Sequence, residues 1–152
     1  HLAVGPELQM AFTGHVCDLL ALTLGATRDA MELAAARGVS AARLRSMKDD
    51  IRRNCHRHDL SVHTVAARYG VSARYVQRIF EEDGSTFTQY LTEERLTAAY
   101  KALRRRVPSN QPVGTIAYEC GFADVSHFNR LFRQRFGCTP TDARNAARLR
   151  DG

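Results

Sequence analysis

Apolar residues recur at helical spacing along most of the chain, and stretches that alternate apolar and polar residues are almost absent. In residues 112–136 this pattern runs through two short segments separated by Gly121, a residue type that tolerates the left-handed backbone at a helix end. Asp124 then stands where the N-cap of a second helix belongs. The pattern predicts a helix-turn-helix unit in which Phe122 fills the angle between the helices. The side chains predicted to face inward are Val113, Ile116, Ala117, Cys120, Phe128, Leu131, Phe132 and Phe136.

An earlier segment, residues 61–82, repeats this arrangement. Gly70 marks its turn and Gly121 follows 51 residues later, whereas the arginines at matching places on the two second helices, Arg78 and Arg130, are 52 residues apart. The second copy therefore has one extra residue in its turn. The N-caps predicted for the first copy are Ser61 and Ser72, and its inward side chains are Val62, Val65, Ala66, Val76, Ile79 and Phe80.

The second helix of each copy has one polar, cationic face. Arginine can pair with guanine, and asparagine or glutamine with adenine, in the major groove of DNA. The simpler interpretation is a solvated helix face. His127 has interpretations of its own, as a buried histidine or as one that faces a phosphate. The base-reading hypothesis assigns Arg74, Gln77 and Arg78, beside Glu81, to the first face, and Ser126, Asn129, Arg130 and Arg133 to the second, with Val125 and His127 as secondary candidates.

Between the two copies, residues 86–106 are predicted to form one long helix. About 20 residues at roughly 1.5 Å each make it close to 30 Å long. One turn of B-DNA is about 34 Å, so a rigid spacer of this size can place two reading helices in successive major grooves. Three arginines end the helix and either complement its negative C-terminus or contact phosphates: Arg104, Arg105 and Arg106.

The N-terminal part of the chain, residues 1–40, is predicted to be a separate helical segment. An amphipathic helix covers residues 7–24 and is ended by Gly25, and a short helix over 27–37 is closed by Gly38. A third helix, starting at Ser40 or Ala41 and reaching about Arg57, then opens the main domain, residues 41–152.

The apolar stripe of the first helix requires a partner. One interpretation is packing against the rest of the same chain. The other is pairing with its copy in a second subunit, as the last helix of an upstream sensor domain that this sequence does not contain. The stripe consists of Leu8, Phe12, Val16, Leu19, Leu20 and Leu24.

Charge separates the same two parts of the chain. The 152 residues, 44% hydrophobic and 25% charged, are typical of a globular protein, and 22 basic against 16 acidic side chains give a net charge of +6. Residues 1–40 hold only two of the basic and four of the acidic side chains, so the remainder carries +8. This asymmetry favours a polyanion-binding part joined to a part with another role. No apolar run approaches the roughly 20 residues of a membrane span and no signal peptide is visible, which predicts a cytoplasmic protein without a membrane partner.

Cysteine and histidine positions do not indicate a metal site. His56 and His58 follow Cys55, but a zinc site needs three or four convergent ligands, and nothing nearby completes the set. No nucleophile, general base or cofactor-binding loop assembles from the sequence, so we expect no enzymatic activity, no metal and no cofactor. The four cysteines are predicted to be reduced core residues: Cys17, Cys55, Cys120 and Cys138.

The stretch from Ile116 to Arg144 resembles the signature of the AraC/XylS family of bacterial transcription regulators, and residues 61–82 are similar to the family's first recognition unit. Two positions depart from the family pattern: Ala143, where an aromatic residue is usual, and Phe87, where the following turn usually has proline. The matching positions are Ala117, Gly121, Phe122, Ser126, Phe128, Phe132, Arg133, Gly137, Thr139, Pro140 and Arg144.

The resemblance implies an all-α fold with two homeodomain-like helix-turn-helix subdomains, a long linker helix and N-terminal amphipathic helices. It also implies binding to double-stranded DNA, contact with RNA polymerase, and residues 1–40 as the junction to a sensor domain, through which the protein would form a homodimer. Two rival hypotheses use the same DNA-binding fold. A DNA-repair protein would need a four-cysteine zinc cluster, which the cysteine spacing does not provide, and a nonspecific nucleoid or protein-interaction module would not discriminate between DNA sequences.

Overall fold

The computed structural model describes residues 6–105 and 110–150, with side chains described for 15–105 and 110–150. These residues form helices and no strand, which confirms the all-α prediction. The helices are α1 (Pro6–Asn54), α2 (Val62–Tyr69), α3 (Ala73–Glu82), α4 (Phe87–Leu103), α5 (Val113–Glu119), α6 (Val125–Phe136) and α7 (Pro140–Arg150). Within the described residues, no helix combines the length and the apolar composition that a membrane crossing needs.

The chain divides into two compact units, His1–Arg43 and Leu44–Gly152. In the first unit, the side chains described from residue 15 onwards are exposed, apart from half-buried Ser40. Cys17 is among the exposed ones, so its prediction as a core residue is wrong, because this part of α1 buries no side chain. The predicted stripe positions Leu8 and Phe12 lie outside the described side chains.

Helix α1 is continuous, which corrects the prediction of three helices separated at Gly25 and Gly38. Neither glycine has the positive φ that turns a chain out of a helix. A glycine inside a helix costs only about 1 kcal/mol relative to alanine, and the neighbouring alanine, leucine and arginine residues are strong helix formers. The helix ends at Asn54 rather than near Arg57, because residues 55 and 56 form a turn in which the N–H of Arg57 donates to the Asn54 carbonyl at 3.0 Å.

The first helix-turn-helix packs around the C-terminal part of α1. Asp50 on α1 pairs with Arg68 on α2, and Phe80 on α3 meets the ring of Phe87 edge-on at 5.6 Å between ring centroids. The buried apolar residues of this cluster come from α1 to α4 and the intervening turns: Met47, Ile51, Cys55, Leu60, Val65, Ala66, Val76, Ile79, Phe80, Phe87 and Leu91.

The second helix-turn-helix has a cluster of its own, on the C-terminal part of α4. Phe132 on α6 is fully buried, within 6 Å of the ring centroids of Phe128 and Phe136. The buried members are Leu96, Ala99, Leu103, Ile116, Ala117, Cys120, Phe122, Phe128, Phe132 and Ala143. Helix α4 therefore serves both clusters, one with each end.

Helix α4 ends earlier than predicted. Its last residue is Leu103, and Arg104 follows as C-cap with φ −99° and ψ 9°. Arg104 and Arg105, the described residues directly after Leu103, are not buried and so do not anchor a further turn. The residue before a proline also disfavours helical backbone, which limits extension towards Pro108. Arg106 and Pro108 lie outside the described residues.

Candidate nucleic-acid interface

The turn between α2 and α3 is built by local hydrogen bonds. Gly70 adopts the left-handed conformation, with φ +64° and ψ 32°, and the N–H of Val71 donates to the Ala66 carbonyl at 3.0 Å. The Ser72 hydroxyl then accepts from the N–H of Tyr75 at 3.1 Å and starts α3. Ser61 caps α2 in a reciprocal capping box with Thr64. The predicted turn glycine and both predicted serine caps are confirmed.

Helix α3 presents its predicted polar face to solvent. Val76, Ile79 and Phe80 are buried on the opposite side, which fixes the rotation of the helix about its axis. The guanidinium of Arg78 lies 5.3 Å from the ring centroid of half-buried Tyr75 and 3.8 Å from the exposed carboxylate of Glu82. Surface contacts of this kind are weak, so they orient the Arg78 side chain but can be exchanged for other partners at little cost. The exposed side chains line one groove together with Ser72 and Tyr75: Arg74, Gln77, Arg78 and Glu81.

The turn between α5 and α6 is longer, as predicted. Gly121 has φ +96°, and the N–H of Phe122 donates to the Ala117 carbonyl at 3.0 Å. Phe122 is 6% exposed and lies 4.9 Å from the ring centroid of Phe128, so it fills the angle between the two helices. The N-cap Asp124 follows Gly121 by three residues, whereas Ser72 follows Gly70 by two.

The carboxylate of Asp124 caps α6. It accepts from the backbone N–H groups of Ser126 at 2.8 Å and His127 at 3.0 Å. These bonds, first that from His127 and then that from Ser126, hold the pKa of Asp124 below its ordinary value, because they stabilise the charged form. The cap fixes the first turn of α6, where Ser126 begins the exposed face.

Helix α6 also presents its predicted face. Phe128 and Phe132 are buried behind it, while Arg130 donates to the imidazole Nδ1 of His127 at 2.9 Å. His127 is exposed, so its interpretation as a buried histidine is wrong, and Val125 is 41% exposed. The predicted side chains are all exposed: Ser126, Asn129, Arg130 and Arg133.

A groove joins the face of α6 to the start of α7. Thr139 caps α7 by accepting from the N–H of Asp142 at 3.1 Å, and hydrogen bonds from Thr139 lower the pKa of the Asp142 carboxyl. The residues that the sequence did not assign to this surface are Gln134, Thr139 and Thr141, which line the groove with Asn129, Arg130 and Arg133. The Thr-Pro pair that starts α7 was a visible signal for the helix start, but not for its position beside α6.

Arginines outside the two faces have other surroundings. Arg104 donates to the Tyr100 hydroxyl at 2.6 Å and lies over that ring, and Arg105 is exposed. Arg135 is on α6 but turns towards α4, where its Nε donates to Glu93 at 2.7 Å. Within the described ranges, no group of three or more His, Cys, Asp or Glu side chains is arranged to hold a metal ion.

Comparisons with known proteins agree on one family. The profile described as "Helix-turn-helix domain" matches residues 65–146. The transcriptional activator RhrA of Rhizobium meliloti is 35% identical over 105 residues, 69% of this chain and 33% of that protein. The transcriptional activator NphR of a Rhodococcus species is 33% identical over 131 residues, 86% of this chain and 38% of that protein. The chain thus spans about a third of the length of these relatives.

A solved structure extends the similarity to the fold. The DNA-binding domain of AdpA, a global transcriptional factor crystallised in complex with a target DNA, superimposes with a TM-score of 0.59. It is 29% identical, and the match covers 70% of this chain and 94% of that domain.

Proposed function

The chain belongs to the AraC/XylS family of helix-turn-helix transcription regulators, and from this premise we propose that it reads an asymmetric DNA site with α3 and α6 in successive major grooves. One observation carries the proposal. Two helices, each started by a side-chain N-cap and each buried on one side, expose polar and cationic side chains at matching positions. AdpA's domain, with a similar fold, was crystallised with DNA, which supports the choice of ligand.

Helix α3 has the chemistry to read guanine and adenine. Arg74 and Arg78 offer bidentate donors to guanine, and Gln77 between them suits adenine. Glu81, one turn further along the same face, can accept from the amino group of cytosine. The two arginines are exposed, and each carries a planar guanidinium with several donors, so this helix is the stronger of the two readers.

Helix α6 combines base reading with backbone contact. Asn129 suits adenine and Arg130 suits guanine, while Ser126 can bond to either type of base. Arg133, on the groove shared with Thr139 and Thr141, is placed to meet a phosphate beside those hydroxyls and the N-terminus of α7. Phosphate contacts of this kind would set the register of the helix, and the base contacts would supply the specificity.

The partners beyond DNA follow from the rest of the chain. We place homodimerisation on the first unit, because Leu19, Leu20 and Leu24 are each more than half exposed and form an apolar row on α1. As a transcription regulator the protein would contact RNA polymerase. It would be located in the bacterial cytoplasm, where the chromosome and the polymerase are found. An enzymatic role has no support from the family or the site.

Half-site titrations test the two-reader proposal. Arg78→Ala and Arg130→Ala are each expected to weaken specific binding by about 1 to 3 kcal/mol and to relax base preference in different halves of one site. Arg135→Ala is the matched control, since Arg135 is also on α6 but is paired with Glu93, and it should leave base preference unchanged. Relaxation of the same base pairs by both variants would contradict two readers. Equal affinity for unrelated sequences at physiological salt would indicate a nonspecific module instead.

A further inference from the structure

We propose that Arg95, midway along α4, is the positioning residue that fixes the spacing at which the two reading helices meet DNA. The inference rests on the proposed two-reader function and deepens it, because it assigns the determinant of half-site spacing. Arg95 belongs to neither reading face. Its effect on recognition would therefore be exerted through the relative placement of α3 and α6.

The apolar cores leave this placement open. The cluster under α3 and the cluster under α6 share no buried residue, and half-buried Ala98 on α4 is the apolar residue that packs against both. Apart from this small side chain, apolar packing attaches each helix-turn-helix to its own end of α4. The continuous helix α4 and Ala98 give some resistance to bending and twisting between the two ends, and polar contacts that cross the division add to it.

Arg95 makes such a crossing contact with the end of α1. Its Nε donates to the carbonyl of Cys55 at 2.7 Å, and its Nη2 donates to the carbonyl of Arg57 at 2.8 Å. Cys55 and Arg57 belong to the short connection that follows α1, and the guanidinium of Arg95 binds both of their carbonyls with charge-assisted hydrogen bonds in fixed geometry. Arg95 therefore ties the first helix-turn-helix, through the end of α1, to the middle of α4.

The turn of the second helix-turn-helix lies against the same bonds. A Cβ atom on Gly121 would be 2.6 Å from Arg95 Nε and 2.7 Å from the Cys55 carbonyl oxygen. Only glycine lets the backbone approach this closely, and its φ of +96° is a second reason for glycine at this position. The end of α1, the middle of α4 and the turn before α6 thus meet at one point.

A second contact joins the segment after α1 to the second helix-turn-helix, this time at α5. The rings of His58, after α1, and Tyr118, on α5, are 4.3 Å apart between centroids and tilted by 33°. Two contacts at different points resist rotation about α4 better than one. These contacts connect the two helix-turn-helix subdomains. We call the six residues the subdomain joint: Cys55, Arg57, His58, Arg95, Tyr118 and Gly121.

A stiff joint has a measurable effect on DNA binding. Once one helix has bound, the other sees its half-site at an effective concentration that is high only where the protein's geometry matches the DNA. One base pair more or less moves a half-site by about 3.4 Å and rotates it by about 34° around the duplex. A stiff joint therefore gives a narrow spacing optimum, and a loosened joint gives a broad and lower one.

The test measures affinity for a series of DNA duplexes in which the two half-sites are moved apart or together by one and two base pairs. Arg95→Met removes the two carbonyl bonds while keeping a long side chain. The affinity of this variant for DNA should fall about tenfold at the native spacing and much less at the altered spacings. Its affinity for each isolated half-site should be retained. Lys101→Met, which removes one positive charge from the exposed side of the same helix, is the control and should lower affinity equally at every spacing.

Two further variants keep the test decisive. Tyr118→Ala alters a residue that is 60% exposed, so it should fold normally and still broaden the spacing profile. Gly121→Ala adds a methyl group beside Arg95 Nε and the Cys55 carbonyl oxygen, so it disturbs the same joint from the turn before α6. If Arg95→Met is not folded at the assay temperature, the profile of Tyr118→Ala decides. A wild-type profile for the folded variants, or a wild-type protein that tolerates every spacing, would overturn the role of Arg95. A wild-type protein that binds no paired half-sites would instead overturn the proposed function.

Discussion

Asp50 on α1 is 7% exposed, and its carboxylate forms an ion pair with the guanidinium of Arg68 on α2. Asn54 donates to the same carboxylate at 2.9 Å, so both oxygens are engaged. Helix α2 leads into the turn at Gly70, and this turn sets the orientation of α3. The pair therefore links the long N-terminal helix to the orientation of the first reading helix.

Removing Arg68 should destabilise the second unit, because it leaves the buried carboxylate of Asp50 without its cation. We expect Arg68→Ala to lower the free energy of unfolding by about 2 kcal/mol, below the range for fully buried pairs because Arg68 is itself partly exposed. Urea unfolding followed by circular dichroism measures the change. Arg28→Ala, which breaks the exposed pair with Glu32, should change stability by no more than about 0.5 kcal/mol. Equal losses of unfolding free energy in Arg68→Ala and Arg28→Ala would show that the burial of Asp50 does not increase the cost of breaking its ion pair.

Because the two apolar clusters are separate, a substitution in one cluster should impair only the reading helix that this cluster supports. Phe80→Ala and Phe132→Ala each remove a fully buried ring and should cost about 3 to 5 kcal/mol in the cluster concerned. Phe132→Ala should abolish recognition of the half-site read by α6 and spare that read by α3, with the reverse for Phe80→Ala. Titrations on isolated half-sites, beside amide hydrogen exchange of each helix, report the outcome. Loss of both half-sites in either variant would mean that the two clusters unfold as one.

Acid should weaken the start of α6. Hydrogen bonds from the N–H groups of His127 and Ser126 depress the folded-state pKa of Asp124, so its contribution to stability is fully present above the ordinary carboxyl pKa of about 3.9. It is lost as the pH falls through the lower, folded-state value, because the unfolded state then binds the proton more readily. Asp124→Asn keeps a good N-cap but cannot titrate. The urea midpoints of wild type and variant, measured from pH 7 to pH 2, should converge in acid, and parallel curves down to pH 2 would argue against the cap.

The apolar row on α1 should govern self-association. Replacing both Leu19 and Leu20 with Glu puts two charges on the proposed dimer surface, which should lower the dimer fraction in sedimentation velocity while leaving half-site affinity unchanged. Leu149→Glu is the control, since Leu149 is 84% exposed and belongs to α7 of the second unit. A wild-type protein that is monomeric at high concentration would rule out this surface, as would a double variant that dimerises normally.

Local features of the molecule follow from the sequence alone. Both turns, the caps at Ser61, Ser72 and Asp124, and the exposure of the two polar faces are those that residue spacing predicted. The physical reason is that helix periodicity, capping and left-handed glycine depend on hydrogen bonds between residues a few positions apart. The family signature added the identity of the fold, because its residues occupy those same local positions.

Tertiary structure decided what connects distant parts of the chain. Arg95 and Cys55 are 40 residues apart, and no periodicity indicates that a guanidinium on α4 would meet the end of α1 beside Gly121. Sequence reasoning assigned Gly121 to the turn alone, and it did not place Thr139 and Thr141 on the groove of α6. Contacts of this kind depend on where each core seats its helices along α4 and on the rotation between them. A pattern that repeats every three or four residues carries no record of those angles.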